Sequence, residues 1–258
     1  MISLYSGTPG SGKSYHSVKE ILEKLRWGRN VIANFPLKLD GVKGLKGHFY
    51  YVPDEELTVT YLCKFALAHH KKGKEHQTYI VIDEASRMFN PRDFARPDRR
   101  NWCKFMALHR HLGFDMILIA QHDRLLDRQI RYQIEYDFKH RSVSNYKFLG
   151  LLLSVVGIKL FCVVQYWYAV KGEKCGVSMI RYRKKLGALY DSYALFDVST
   201  VQNLADGDAR SRGTGVPGEH GTARQNGNGW RCSTSAYLPL VGVLRAILAQ
   251  EQQGSRAA

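Results

Sequence analysis

The chain lacks the cysteine patterns that mark secreted or zinc-binding proteins. Its five cysteines are widely spaced, and no two of them form a C-x-x-C pair. An odd, scattered set of this kind argues against a disulfide framework and against a zinc site, and it predicts reduced thiols in a cytosolic compartment. The sequence also begins directly with a strand-like segment, which leaves no room for a signal peptide, so we expect none.

Acidic residues are scarce relative to basic ones. The chain has 38 Lys and Arg against 23 Asp and Glu, which gives a formal net charge of +15 at pH 7. This balance favours an anionic partner, either nucleic acid or an anionic membrane face. A basic surface without a specific partner is the alternative, because charge alone does not specify what is bound.

A long apolar run free of polar residues is missing too. Residues 148–170 come nearest to one, but Gly150, Gly157, Lys159 and Gln165 interrupt them. A membrane span needs about 20 predominantly apolar residues, and a lysine near its centre costs about 2.5–3.5 kcal/mol. We therefore expect buried strands here, with a membrane span as the alternative.

What the sequence does contain is a complete phosphate-binding loop of the form G-x-x-x-x-G-K-[ST]. In such a loop the backbone amide groups cradle the β-phosphate, Lys13 reaches the β- and γ-phosphates, and Ser14 can bind Mg²⁺. A strand-like segment precedes the loop and apolar residues at helical spacing follow it, so the helix begins at the phosphate. The pattern predicts a site for ATP and Mg²⁺ in which the nucleotide contacts Gly7, Thr8, Pro9, Gly10, Ser11, Gly12, Lys13 and Ser14.

Strand and helix patterns alternate along the first half of the chain. The expected strands lie at residues 1–5, 31–35, 49–52, 79–82 and 115–120, and the expected helices lie at 15–25, 53–73 and 99–112. This alternation predicts an α/β fold, namely a P-loop NTPase with a mostly parallel central sheet and helices on both faces. From residue 134 the pattern changes, and strand patterns at 163–170 and 177–182 predict an antiparallel β extension at the sheet edge.

Composition divides the chain into three parts. Residues 1–197 hold all the patterns above and are expected to form the P-loop ATPase domain. Residues 198–235 are rich in Gly and Arg and poor in large apolar side chains, so we expect a disordered linker. Residues 236–258 are expected to form a short C-terminal helix or tail.

Hydrolysis needs more than the loop, and three polar residues at strand ends are candidates. Asp83 follows the apolar strand at 79–82, the Walker B position, where a carboxylate holds Mg²⁺ together with Ser14. Glu84 comes next and is placed to act as the general base that activates water. Gln121 ends the next buried strand, where it would sense the γ-phosphate or orient water. A chance acid pair and an amide that caps a loop are the alternatives.

An arginine also stabilises the transition state of γ-phosphate transfer. Arg110 is the first candidate, and Arg128 and Arg131 are the others; in a ring, one of them would act on a neighbour's nucleotide. A solvated arginine is the alternative for each. His109 and His111 flank Arg110, but residues two apart on a helix do not share a face, so we expect structural roles rather than a metal site.

Several segments together resemble the zonular occludens toxin (Zot) domain family, over about residues 1–197. They are the strand and loop up to Ser14, Val81–Ala85, Leu108–Gly113, Ile117–Gln121 and Tyr190–Tyr193. The family includes the assembly and export ATPases of filamentous phages. The resemblance implies phosphate-loop, Walker B and sensor roles for Lys13, Ser14, Asp83, Glu84 and Gln121.

The resemblance further implies a motor in the bacterial host cytoplasm, at the cytoplasmic face of the inner membrane. Such a motor uses ATP to extrude single-stranded phage DNA while coat protein replaces the packaging protein. The implied partners are the DNA or its packaging protein, the phage coat and export proteins, the host inner membrane and, in a ring, further copies of the chain. Family members usually carry a membrane span after the ATPase domain, whereas this chain has its Gly- and Arg-rich segment there. A partner or the basic surface is then the route of membrane contact.

Two other classes of function are compatible with the loop alone. A nucleotide-dependent scaffold or DNA-binding protein at the membrane would bind ATP without fast hydrolysis. A P-loop kinase is disfavoured, because Glu84 follows Asp83 and no lid-like arginine cluster is evident near an acceptor site.

Overall fold

The computed structural model describes residues 1–93, 96–143, 159–170 and 173–190. All of them belong to one compact unit, Met1–Ser192. The predicted linker at 198–235 and the predicted helix or tail at 236–258 lie outside the described residues, as do residues 148–158 of the apolar segment.

The described residues contain eight strands that form one sheet. In chain order they are β1 (Ile2–Ser6), β2 (Asn30–Ala33), β3 (Phe49–Tyr51), β4 (Thr78–Ile82), β5 (Phe114–Ile119), β6 (Tyr136–Ser142), β7 (Leu160–Trp167) and β8 (Lys174–Arg181). The helices are α1 (Lys13–Arg26), α2 (Val59–His69), α3 (Arg99–Leu108), α4 (Arg128–Arg131) and α5 (Lys184–Gly187).

The sheet has the order β3-β2-β4-β5-β1-β6-β7-β8. From β3 to β6 all neighbouring strands are parallel, and β1 lies between β5 and β6. The two remaining pairs, β6 with β7 and β7 with β8, are antiparallel. The prediction of a mostly parallel sheet with an antiparallel extension is therefore confirmed. The change in sequence pattern at residue 134 precedes the change of strand direction, because β6 still runs parallel to β1.

Helices cover both faces of the parallel part. Tyr79 points to one face, where Lys24 of α1 lies 5.2 Å from its ring centroid. Phe114 pairs in register with Thr78, so it points to the opposite face, where its ring lies 5.5 Å from that of Phe105 in α3. Because both faces are covered, β4 and β5 are buried along their whole length. Their sequences are therefore continuous apolar runs rather than alternating ones.

Three predicted helix boundaries are wrong, and local backbone geometry explains them. The second helix begins at Val59 rather than near residue 53, because Thr58 caps it by accepting a 3.2 Å hydrogen bond from the Tyr61 N–H. It ends at His69 rather than 73, because His70 is already extended. The third ends at Leu108 rather than 112, where a turn leads to Gly113, whose φ is 84°. Among the described helices, none has both the length and the apolar character that crossing a membrane requires.

Replacing Phe105 with alanine is expected to lower the free energy of unfolding by about 3–5 kcal/mol. The ring is fully buried and packs between Trp102 and Phe114. Leu67→Ala is the control, since that side chain is 60% exposed, and we expect a change below about 1 kcal/mol. Urea unfolding measures both values, and equal losses in the two variants would contradict this packing.

Candidate nucleotide-binding and hydrolysis site

The phosphate-binding loop connects the end of β1 to the start of α1. Its outer glycines have conformations that other residues rarely adopt, with φ of 141° at Gly7 and 94° at Gly12. A Cβ atom at Gly7 would lie 2.4 Å from the His140 carbonyl oxygen, and one at Gly12 would lie 2.6 Å from the Phe161 ring. The loop is therefore seated against β6 and β7, and glycine is required at both positions.

Two side chains of the loop suit the binding of an anion. Lys13 Nζ donates hydrogen bonds to the carbonyl oxygens of Gly7 and Thr8, at 2.8 and 3.1 Å. Burial lowers the pKa of this ammonium group, while the two nearby carboxylates oppose the shift. The Ser11 hydroxyl is buried and has no hydrogen-bond partner. A cation and an unpaired hydroxyl in a cradle shaped by glycine fit the phosphates of a nucleotide.

The predicted acid pair lies directly beside the loop. Asp83 follows β4, and its Oδ2 atom accepts a 2.9 Å hydrogen bond from the Ser14 hydroxyl at the start of α1. Its Oδ1 atom accepts a 2.8 Å hydrogen bond from the Glu84 N–H. Asp83 is only 5% exposed, so protein groups rather than bulk water hold its carboxylate. The structure thus brings together the two side chains proposed to hold Mg²⁺.

Glu84 continues the chain in an uncommon backbone conformation. Its φ is 47°, in the left-handed region where residues with long side chains are seldom found. Burial, and then the neighbouring Asp83, raise the pKa of its carboxyl group, whereas Lys13 and Arg87 lower it. A raised pKa makes a carboxylate a stronger base, and strained backbone of this kind clusters at functional sites. This geometry suits Glu84 to the general-base role, which stays a prediction.

Asn34 holds the backbone of Asp83, a role that the sequence patterns did not indicate. The Asp83 N–H donates to Asn34 Oδ1 at 2.7 Å, and Asn34 Nδ2 donates to the Asp83 carbonyl oxygen at 2.9 Å. The amide also donates to Asp54 at 2.7 Å. Asn34 follows β2, the neighbour of β4, and is 3% exposed. A polar residue after an apolar strand was the available signal, but its value depends on knowing which strands are neighbours.

Tyr190 reaches the same carboxylate from the far end of the described residues. Its hydroxyl donates a 2.9 Å hydrogen bond to Asp83 Oδ2. Its ring packs edge-on against Phe35, with centroids 5.2 Å apart. Burial, followed by the nearby Asp83, raises the pKa of the Tyr190 phenol well above its ordinary value. The phenol therefore stays protonated and acts as a donor to the carboxylate.

Gln121 meets the loop through its backbone. Its carbonyl oxygen accepts a 3.2 Å hydrogen bond from the Gly7 N–H. The ends of β4 and β5 are joined beside it, because the Ala85 N–H donates to the Ile119 carbonyl oxygen at 2.8 Å. The Gln121 side chain is exposed at the edge of the sheet that carries the loop. Its role as a γ-phosphate sensor stays a prediction.

The candidate arginines do not join this cluster. Arg110 precedes β5 and pairs with Glu75 at 3.3 Å, at the amino ends of the parallel strands, whereas the loop and the acid pair lie at their carboxyl ends. Arg128 donates a 2.9 Å hydrogen bond to the Tyr132 hydroxyl, and Arg131 has a buried Nε without a partner. Arg110 therefore lies away from the loop of its own chain, and its action on a neighbour's nucleotide stays a prediction.

The two histidines beside Arg110 occupy different environments. His109 is buried, with Nε2 3.0 Å from the Met1 amino group and Nδ1 2.6 Å from the Met106 carbonyl oxygen. His111 is exposed. Through these contacts His109 joins the residue before β1 to the end of α3.

A second pair of histidines, which the sequence patterns did not indicate, is buried behind the loop. His16 Nδ1 lies 2.8 Å from His140 Nε2, and His140 Nδ1 lies 2.8 Å from the Phe138 carbonyl oxygen. A carbonyl only accepts, so His140 carries its proton on Nδ1 and His16 donates to it. Burial lowers the pKa of His16 to about 3 and that of His140 to about 4. Two neutral rings therefore bind α1 to β6.

The oxygen atoms beside the loop are compatible with a nucleotide-bound Mg²⁺. Within the described ranges, no group of three or more His, Cys, Asp or Glu side chains is arranged to hold a metal ion. Mg²⁺ bound to a nucleotide needs only one or two protein oxygens, because phosphates and water supply the rest. The Ser14 hydroxyl and the Asp83 carboxylate are such a set.

Similarity to known proteins covers the part of the chain that carries this site. A family model described as Zonular occludens toxin (Zot) matches residues 1–195. The chain belongs to the Zot family. With its complete loop and its mostly parallel sheet, this Zot-family chain has a P-loop NTPase fold.

Individual relatives are distant. The chain is 24% identical to the Gene 1 protein of Escherichia phage If1 over 168 residues, which cover 62% of this chain and 47% of the relative. It is 25% identical to the Gene 1 protein of Enterobacteria phage fd over 131 residues, which cover 49% of this chain and 37% of the relative. The chain thus spans less than half the length of these curated relatives.

Solved structures are similar to it at low identity. The N-terminal domain of zonular occludens toxin from Neisseria meningitidis has a TM-score of 0.45 and 21% identity, covering 74% of this chain and 98% of that domain. The genome packaging NTPase B204 from Sulfolobus turreted icosahedral virus 2, in complex with AMPPCP, has a TM-score of 0.43 and 16% identity, covering 69% and 95%.

Asn34→Ala is expected to lower the free energy of unfolding by about 1–3 kcal/mol, because the buried N–H and C=O of Asp83 lose their partners. Asn30→Ala, at the start of β2, is the matched control. Its Oδ1 accepts only one exposed hydrogen bond, from the His48 N–H at 3.2 Å, so we expect a loss below about 1 kcal/mol. Chemical denaturation measures both variants, and an equal effect would argue against the role of Asn34.

Because the two histidines are buried and neutral, we expect the free energy of unfolding to fall in mild acid. The folded-state pKa of His140 is about 4, against about 6.5 in the unfolded chain. The unfolded state therefore binds more protons between these values, so stability is lost as pH falls from about 6.5 to about 4, by on the order of 3 kcal/mol. Unfolding free energies measured across this pH range should show a smaller slope for His140→Gln than for wild type. The exposed His111→Gln should keep the wild-type slope, and a wild-type slope in both variants would contradict the prediction.

Proposed function

We propose that the protein is an ATP-hydrolysing motor for assembly and extrusion of a filamentous phage through the bacterial envelope. The observation that carries the proposal is the 2.9 Å contact of the Ser14 hydroxyl with Asp83, with Glu84 next in the chain. Nucleotide binding alone needs only the loop, whereas hydrolysis needs a metal-holding carboxylate and a base beside it. The relatives from phages If1 and fd support the phage setting.

Five residues of the site have a defined part in the proposed reaction. The Lys13 ammonium group exchanges its two carbonyl partners for the β- and γ-phosphates. Ser14 and Asp83 hold Mg²⁺, which when bound neutralises charge on the phosphates. Glu84 accepts a proton from the water that attacks the γ-phosphorus. Gln121, at the end of the neighbouring strand, orients that water or senses the phosphate.

The charge of the chain supports an anionic partner for the motor. With a formal net charge of +15, it would attract single-stranded phage DNA, or the DNA with its packaging protein, and the anionic cytoplasmic face of the host inner membrane. The phage coat and export proteins are the further partners of the proposal. A ring of copies would allow Arg110, whose side chain is 58% exposed, to act on the nucleotide of a neighbour.

Glu84→Gln tests the motor directly. The change keeps the size of the side chain and removes the base, so we expect phosphate release to fall by about 10²- to 10⁴-fold, while ATP still binds. The measurements are phosphate release by the purified full chain, ATP affinity, and phage yield when the variant complements a phage lacking this gene. Phage export should be lost together with hydrolysis.

Glu55→Gln is the control, because that carboxylate is exposed. It follows β3, an edge strand of the sheet, whereas Glu84 follows β4. This variant should leave all three measurements unchanged. Export that survives Glu84→Gln while ATP binds and hydrolysis is lost would replace the motor with a nucleotide-dependent scaffold.

A further inference from the structure

Asp83 Oδ2 accepts hydrogen bonds from two hydroxyl groups at once. The Ser14 hydroxyl and the Tyr190 hydroxyl each donate to it at 2.9 Å. The other carboxylate oxygen, Oδ1, accepts from the Glu84 N–H at 2.8 Å. A carboxylate oxygen offers about two lone pairs, so both acceptor positions of Oδ2 are taken.

A bound cation, or its water, that uses Asp83 Oδ2 would need one of these positions. Ser14 is the residue whose oxygen holds Mg²⁺ in a P-loop, so its place beside the carboxylate is needed when the site is loaded. Tyr190 has no part in that ligand set. Any cation, or cation-bound water, that uses Asp83 Oδ2 therefore competes with the Tyr190 hydroxyl rather than with Ser14.

Tyr190 is also the more weakly held of the two donors. Ser14 lies in the first turn of α1, a helix of 14 residues. Tyr190 lies in a short segment that pairs with Leu37 as an isolated antiparallel bridge, next to a 3.0 Å hydrogen bond from the Lys38 N–H to the Leu189 carbonyl oxygen. Its ring contacts Phe35. Few interactions must break for Tyr190 to leave.

The segment has a fixed point at its other end. Tyr182 packs on Tyr15 of α1, with ring centroids 5.0 Å apart, and the Arg183 N–H donates to the Tyr15 hydroxyl at 2.8 Å. Between this anchor and Tyr190 lies only the four-residue helix α5. Because α5 itself packs on α1, release of Tyr190 would free residues 188–190 while α5 and β8 stay in place.

We propose that the Tyr190 hydroxyl and nucleotide-bound Mg²⁺ compete for Asp83, so that loading of the site releases residues 188–190 from the loop that follows β2. The inference rests on the nucleotide site of the proposed function, but not on phage extrusion. It makes Tyr190 a positioning residue whose release marks the loaded state of the site. In the unloaded site, the same hydroxyl keeps Asp83 in place.

Tyr190→Phe tests the competition by binding rather than by turnover. The variant keeps the ring against Phe35 and removes only the hydroxyl, so we expect the Mg²⁺ concentration for half-maximal tightening of ATPγS binding to fall by about three- to tenfold. Tyr168→Phe is the matched control, because its hydroxyl donates to Asp123 at 3.1 Å rather than to Asp83. It should behave as wild type.

Hydrogen–deuterium exchange of the full chain supplies a second readout. In wild type, Mg²⁺ with ATPγS should speed exchange in peptides covering residues 36–39 and 188–190, since the Lys38–Leu189 bond opens. In Tyr190→Phe, exchange there should be fast without Mg²⁺. ATPγS alone should leave the wild-type segment protected.

The outcomes separate this inference from the proposed function. Unchanged or weaker Mg²⁺ affinity in Tyr190→Phe, with normal ATPγS binding, would overturn the competition and leave the nucleotide site intact. The absence of ATPγS binding in wild type would overturn the proposed function itself. Slower exchange at 188–190 on loading would show that Tyr190 stays in place, which also overturns the inference.

Discussion

The contact between Ser14 and Asp83 is the interaction on which the rest of the site depends. It joins the first turn of α1 to the residue after β4, although β5 lies between β4 and β1 in the sheet. The two groups meet only because all three strands are parallel and end at the same edge. Gln121, after β5, closes the gap by binding the Gly7 N–H through its carbonyl oxygen.

The groups that hold this contact are largely neutral. Asn34 fixes the backbone of Asp83, and the His16–His140 pair fixes α1 on β6. Burial disfavours charge on the two rings, so the support does not alter the charge of the site. Charge is concentrated instead on Lys13 and the acid pair, where a phosphate–metal complex can balance it. The charged groups of the site therefore face the ligand, and the groups that hold them in place are neutral.

Local sequence signals predicted the parts of the site that depend on neighbours in the chain. Glycine and lysine spacing marked the loop, and apolar runs marked β4 and β5 because both faces of those strands are buried. Asn34, Tyr190 and His140 were missed because their partners lie 49, 107 and 124 residues away. Only the strand order brings such residues together. The helix boundaries were wrong for the opposite reason, since a cap and a positive-φ glycine act within a few residues and outweigh apolar spacing.

The antiparallel extension is part of the site rather than an appendage to it. β6 brings the His140 carbonyl oxygen against Gly7, and β7 brings the Phe161 ring against Gly12. β8 then leads into the segment that carries Tyr190 to Asp83. β6, β7 and the segment that carries Tyr190 therefore contact three different parts of the site: the start of the loop, its end, and the carboxylate beside it. A loop held this closely cannot change shape without a matching shift in β6 or β7, because close-packed interiors transmit displacement.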